Sequence, residues 1–259
     1  GEHTDYNGGF VLPFAIDCRT EVAASPRADG IVTVQSAQRS GETASTAIAD
    51  LRPGGAEGWA AYVFGMIWAL REAGHDSGGF DFVIDSAVPD GSGLSSSAAM
   101  ECAVGLAALE LHGIDIARDA LARIAQRAEN EYVGVPCGLM DQMAVSVCHA
   151  DHALFFDVRD DVREHVPFAP GSDGLAVLIV NTRAQHSHAG GEYAQRRRSC
   201  ESAAAILGVP VLRDISSTQL DDALARLDDR ELRMRTRHVV TENERVLTTV
   251  ELLRARRLA

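Results

Sequence analysis

The 259 residues predict an α+β protein. Strand-like patterns crowd the first third, helical periods fill most of the remainder, and the two do not alternate as a doubly wound parallel sheet would require. In chain order, residues 11–16 are apolar but carry Pro13, which cannot donate to a ladder and so marks an edge or a bend. Residues 20–24, 31–35 and 80–85 read as strands from period-2 or apolar runs. Residues 58–73 are apolar on nearly all faces (Trp59, Tyr62, Val63, Met66, Ile67, Leu70) and stop before Gly74, the pattern of a buried helix. Residues 98–112, rich in small apolar side chains, the amphipathic 119–132, and 138–149 are further helices. After them come strands at 153–158 and 175–181, then a helix at 191–207 that starts in a loop with His186, His188 and Gly190. Helices at 218–227 and 231–257 follow, and a weak boundary near 169–174 divides the chain into domains 1–170 and 171–259.

Composition excludes several classes of function. Twenty-four basic against 37 acidic side chains give a net charge of −13, and no Lys/Arg stripe offers the phosphate neutralisation that nucleic-acid binding needs. All 24 basic residues are Arg, so chemistry that needs a lysine amine, whether a Schiff base or a Walker-type phosphate lysine, is absent. The longest apolar stretches, such as 59–70, fall short of the ~20 residues that span a bilayer. Cys18, Cys102, Cys137, Cys148 and Cys200 are scattered without a C-x-x-C pair, which suggests reduced thiols in a cytoplasmic protein. Both ends look like cuts through a longer protein: a dense polar opening without Met, and a helical pattern that runs to the end without a stop signal.

Three clusters carry chemistry. In residues 89–99, Gly91 and Gly93 let the backbone approach an anion, while Ser92, Leu94, Ser95, Ser96 and Ser97 lead into a helix whose first amides have no partner. Such a terminus binds phosphate, and a serine hydroxyl there can take a Mg²⁺ position; simple helix capping is the plainer reading. The second cluster joins Glu129 to residues 135–142. Pro136 and Gly138 break one helix and put Asp141 in the first turn of the next, where a carboxylate stays ionised and can take a hydroxyl proton. A solvated Glu and a helix-start Asp are the alternatives. The third is Glu2-His3-Thr4-Asp5-Tyr6-Asn7-Gly8-Gly9, whose density of donors and acceptors suits a polyol; an exposed turn would look similar. Tyr193, ahead of Arg196, Arg197 and Arg198, either reaches a ligand or packs in the core. Those arginines, with Glu192 and Glu201, suggest a solvated helix face.

Taken together and in this order, Gly1–Gly9, Pro89–Ala98 (P-x-G-x-G-L-S-S-S-A) and Cys137–Gln142 (C-G-x-M-D-Q) resemble the motifs of the galactokinases, in the GHMP small-molecule kinase superfamily. The resemblance runs through nearly the whole chain. It implies a two-domain GHMP-kinase fold whose N-terminal domain is ribosomal-protein-S5-domain-2-like, followed here by the start of a C-terminal domain. It also implies transfer of the ATP γ-phosphoryl to the anomeric hydroxyl of galactose, with Asp141 as base. By the same resemblance Glu2, His3, Thr4, Asp5, Gly138 and Tyr193 contact the sugar, Gly91–Ser97 holds the nucleotide, and Ser97 and Glu129 hold Mg²⁺. The partners implied are galactose and Mg-ATP, with no nucleic acid or membrane, for a monomer in the cytoplasm. The family's catalytic arginine would lie before Gly1 and its third Gly-rich motif after Ala259, so residues 1–259 alone are expected to be inactive. A kinase for N-acetylgalactosamine or arabinose, and a non-catalytic sensor of galactose and ATP, are the alternative functions.

Overall fold

The computed structural model describes residues 2–75, 78–180 and 189–257. Along the chain run β1 (Phe10–Val11), β2 (Thr20–Arg27), β3 (Ile31–Ser36), β4 (Thr43–Ala47), α1 (Ala60–Glu72), β5 (Gly79–Ser86), α2 (Ser96–Leu111), α3 (Arg118–Arg127), α4 (Met140–Val147), β6 (His152–Asp157), β7 (Val162–Pro167), α5 (Ala189–Leu207), α6 (Leu220–Ala225) and α7 (Arg230–Arg254). They form two compact units, one of Gly1–Ala15, Gly138–Met140 and Cys148–Ala259, the other of Ile16–Cys137 and Asp141–Val147.

The second unit is a four-stranded sheet, order β2-β5-β3-β4, covered by helices. β3 and β5 run parallel, and the other neighbours antiparallel. Alternation along β5 sends Phe80, Phe82 and Ile84 inward and leaves Val83 and Asp85 exposed, as period 2 demands. The inward residues share one core with Val32 and Val34, with Val63, Phe64, Ile67 and Leu70 of α1, and with Cys102, Val104 and Leu109 of α2. The first unit holds an antiparallel sheet, order β1-β6-β7, whose Ala153 and Val166 pack on Val246, Val250 and Leu253 of α7. A second core joins α5, α6 and the first half of α7 through Ala203, Leu207, Leu212, Leu224 and Val239. Asp229 caps α7, its carboxylate accepting the Leu232 amide at 2.9 Å.

The differences from the expected elements have physical causes. The strand expected at 11–16 shrinks to Phe10–Val11 at a sheet edge; the chain bends at Pro13, whose carbonyl still accepts the Leu154 amide at 2.7 Å. β4 and β7 escape pattern reading because Thr43–Ala47 has no large apolar residue and Val162–Pro167 interleaves charges; each is held by ladder bonds to a neighbour. The strand expected at 175–181 is corrected: residues 175–180 form none, and Leu178 is 85% exposed. An apolar β-branched run becomes a strand only where another supplies its ladder, and none of the described residues does so here. Asn181 and the loop of His186 and His188 lie outside the described residues. The helix expected at 119–132 is α3 followed by a π-helical turn, Ala128–Val133, a form of backbone often found at functional sites.

Candidate active site

In the first unit, residues 2–9 fold into a turn closed on itself. The amides of Asn7 and Gly9 reach the Thr4 carbonyl at 3.0 and 2.9 Å, and the Gly8 amide reaches the Asp5 carbonyl at 3.0 Å. Thr4 is fully buried and its hydroxyl donates to the Phe10 carbonyl at 2.7 Å, so this side chain builds the turn. Glu2 Oε1 accepts the Leu12 amide at 3.0 Å. His3 sits at φ +57°, a left-handed conformation that a non-glycine residue adopts at a cost. Its ring lies 6.0 Å from Tyr6 and 5.5 Å from Tyr193, and the two tyrosines are 5.2 Å apart, a three-ring cluster. Burial, then surrounding positive charge including Arg196, His238 and Arg235, lowers the His3 pKa to about 4, so the imidazole is neutral at pH 7.

Asp5 connects this turn to Gly138–Met140. Its Oδ2 accepts the Met140 amide at 3.3 Å, and the Gly138 amide donates to Tyr193 Oη at 3.1 Å. A Cβ on Gly138 would overlap the Asp5 carboxylate, so only glycine fits there. Glu2, His3, Asp5, Gly138 and Tyr193 thus share one unit. Together they offer a carboxylate, a neutral imidazole and a phenol, which is chemistry that reads hydroxyl groups.

In the second unit, the loop before α2 follows β5, as the sequence expects. Ser92 folds back, donating to the Pro89 carbonyl at 2.7 Å. Ser95 is left-handed at φ +59° and its side chain makes no capping bond, which does not support the plain capping reading for this serine. Ser97 Oγ donates to Glu129 Oε1 at 3.2 Å, and the Gln142 amide donates to Glu129 Oε2 at 2.8 Å. Glu129 is 6% exposed, and burial followed by the nearby Asp141 carboxylate raises its pKa to about 7. Asp141 stands in the first turn of α4. Sequence reasoning missed Glu101, which is fully buried and is pushed well above the carboxylate range by burial and by Glu129. Its signal was visible: a lone acid four residues after Ser97 on the apolar α2 faces the same way as Ser97. The role of Gln142 as a donor to Glu129 was also missed, because a glutamine in a motif does not reveal its partner.

Comparison with known proteins follows the same lines. Residues 61–149 match the family model of the GHMP kinases N terminal domain, and residues 1–26 match the galactokinase galactose-binding signature. The chain is 50% identical over 254 residues to a galactokinase of Streptomyces coelicolor, covering 98% of this chain and 66% of that protein. It is 48% identical to a galactokinase of Mycobacterium tuberculosis, covering 95% of this chain and 67% of the relative. Among solved structures, Lactococcus lactis galactokinase complexed with galactose superposes with a TM-score of 0.86 at 29% identity, over 98% of this chain and 67% of that one. The chain therefore spans about two thirds of the length of these relatives.

Proposed function

The chain belongs to the galactokinase family of the GHMP kinases, and from that premise we propose that the whole protein transfers the γ-phosphoryl group of ATP to the anomeric hydroxyl of D-galactose, giving galactose 1-phosphate and ADP. The observation that carries this reading is the docking of Gly138–Met140 on Asp5, which sets a carboxylate among His3, Gly138 and Tyr193 in a cluster built for hydroxyl groups. Met140, whose amide Asp5 accepts, is followed in the chain by Asp141.

On this reading Asp141 takes the proton of the anomeric hydroxyl as its oxygen bonds to the γ-phosphorus and ADP departs. Residues 91–97 hold the phosphates through backbone amides and serine hydroxyls at the start of α2. The hydroxyl of Ser97 and the carboxylate of Glu129, beside the Asp141 carboxylate, are hard oxygen donors of the kind a divalent cation such as Mg²⁺ takes. Mg²⁺ beside a nucleotide commonly rests on one or two protein ligands together with the phosphates and water. There Mg²⁺ would neutralise phosphate charge. Glu2, His3, Asp5, Gly138 and Tyr193 hold the sugar, and the buried Thr4 contributes by shaping their turn. No helix of the described residues is long and apolar enough to cross a membrane; a monomer in the cytoplasm belongs to the same proposal.

The test is ADP release by the full-length protein with Mg-ATP and a panel of sugars. Turnover with galactose supports the reading; turnover with N-acetylgalactosamine or arabinose instead would reassign the sugar. Binding of galactose and ATP without turnover would make the protein a sensor.

A further inference from the structure

We infer that Arg213 is a positioning residue for the turn that carries Asp5, acting through the carbonyl of Gly8. Arg213 projects from a 3-10 turn, Leu212–Asp214, and its side chain is only 12% exposed. One guanidinium makes three engagements. Nη1 donates to the Gly8 carbonyl at 2.5 Å. Nη1 and Nη2 grip the two Asp157 oxygens, the second at 2.7 Å. Its Cζ lies over the Phe10 ring, 4.1 Å from the centroid.

Each anchor is itself fixed. Asp157 Oδ1 also accepts the amides of Arg159 and Asp160 at 3.1 and 3.2 Å. Phe10 and Asp157 face each other across the β1–β6 ladder. Gly8 closes the Asp5–Asn7 turn, its amide on the Asp5 carbonyl. The upstream side of that turn is set by Thr4 and its bond to Phe10, and the downstream side by the Gly8 carbonyl that Arg213 holds. A shift of Gly8 therefore passes directly to Asp5. The chemistry asks for arginine: a planar fork can serve a carbonyl and both carboxylate oxygens while its carbon stays over a ring, whereas an ammonium cannot.

The inference rests on the proposed function only in taking Asp5 as a sugar contact. Its test is Arg213→Lys in the full-length protein, with melting temperature, galactose affinity by calorimetry, and KM for galactose and for Mg-ATP. The expected result is a folded protein whose galactose Kd and KM rise about ten- to a hundredfold, while the KM for Mg-ATP stays within about twofold. A folded variant with unchanged galactose Kd overturns the inference, as does parallel loss of both substrates. If Arg213→Lys does not fold, Asp157→Asn, which keeps the shape and one acceptor oxygen, is read the same way and the same split is expected. Failure of both variants to fold would assign the clasp to stability alone. Wild-type protein tests the sugar independently: should it bind a different sugar, the variant-to-wild-type ratio is taken on that sugar.

Discussion

The two polar clusters both hold titratable groups in their neutral direction, and they do so against opposite surroundings. His3, in the first unit, is buried near Arg196, Arg235 and His238, and is driven toward the neutral imidazole. Glu129, in the second, is buried beside Asp141 and near Glu101, and is driven toward the neutral acid. Burial is the leading cause in both; the sign of the neighbouring charge is what differs. A neutral imidazole among ring edges and hydroxyls can accept or donate one hydrogen bond by choice of tautomer, which on the proposed function suits recognition of an uncharged sugar. A carboxylate crowded by carboxylates is relieved by a cation, which on the proposed function suits phosphoryl transfer. On the proposed function, the difference separates a unit that binds from a unit that reacts.

The sharpest way to break that division is Asp141→Ala in the full-length protein. If the second unit carries the chemistry, kcat falls about 10²- to 10⁴-fold while galactose affinity by calorimetry is kept. A variant that turned over normally would remove Asp141 from the reaction. The converse change is Gly138→Ala. Its Cβ would displace the Asp5 carboxylate, and misplacement on that scale costs about a hundredfold in kcat/KM for galactose. The KM for Mg-ATP should stay put; equal damage to both substrates would show that Gly138 does not belong to binding alone. A smaller effect is expected for Ser97→Ala, which removes one oxygen from beside Glu129. The Mg²⁺ concentration for half-maximal rate should rise about tenfold, and an unchanged requirement would take Ser97 out of the metal site.

Much of this was legible because local pattern and local structure agree. The glycine and serine run after a strand, the helix break at Pro136 and Gly138, and the first-turn Asp141 are all where residue types alone place them. What was not legible depends on which partner a side chain meets, whether near or far in sequence. Nothing near Thr4 in the chain announces that its hydroxyl is spent on Phe10. Arg213 lies 205 residues from Gly8, and a single arginine ahead of Asp214 looks like any surface ion pair until the fold buries it. β4 and β7 show the same limit for strands, since edge strands need no apolar stripe when a neighbour supplies the ladder.

The smallest predicted effect sharpens the comparison most directly, because the two clusters should give the unliganded protein opposite pH slopes of stability. Glu129 titrates at about 7 folded against an ordinary 4.5, so its contribution is fully present below about 4.5 and is lost as pH rises through 7. Glu101, pushed up for the same reason, adds to that slope. His3 titrates at about 4 folded against an ordinary 6.5, so its contribution is present above about 6.5 and lost as pH falls through 4. Glu129→Gln should therefore lessen the loss of melting temperature between pH 5 and pH 8. His3→Asn, which tolerates the left-handed backbone at this position, should lessen the loss between pH 6.5 and pH 4. The measurement is melting temperature against pH, without nucleotide or divalent cation, for both variants and wild type. If either substitution left its own limb of the curve unchanged, that group would not carry the shift that its burial and neighbouring charges produce.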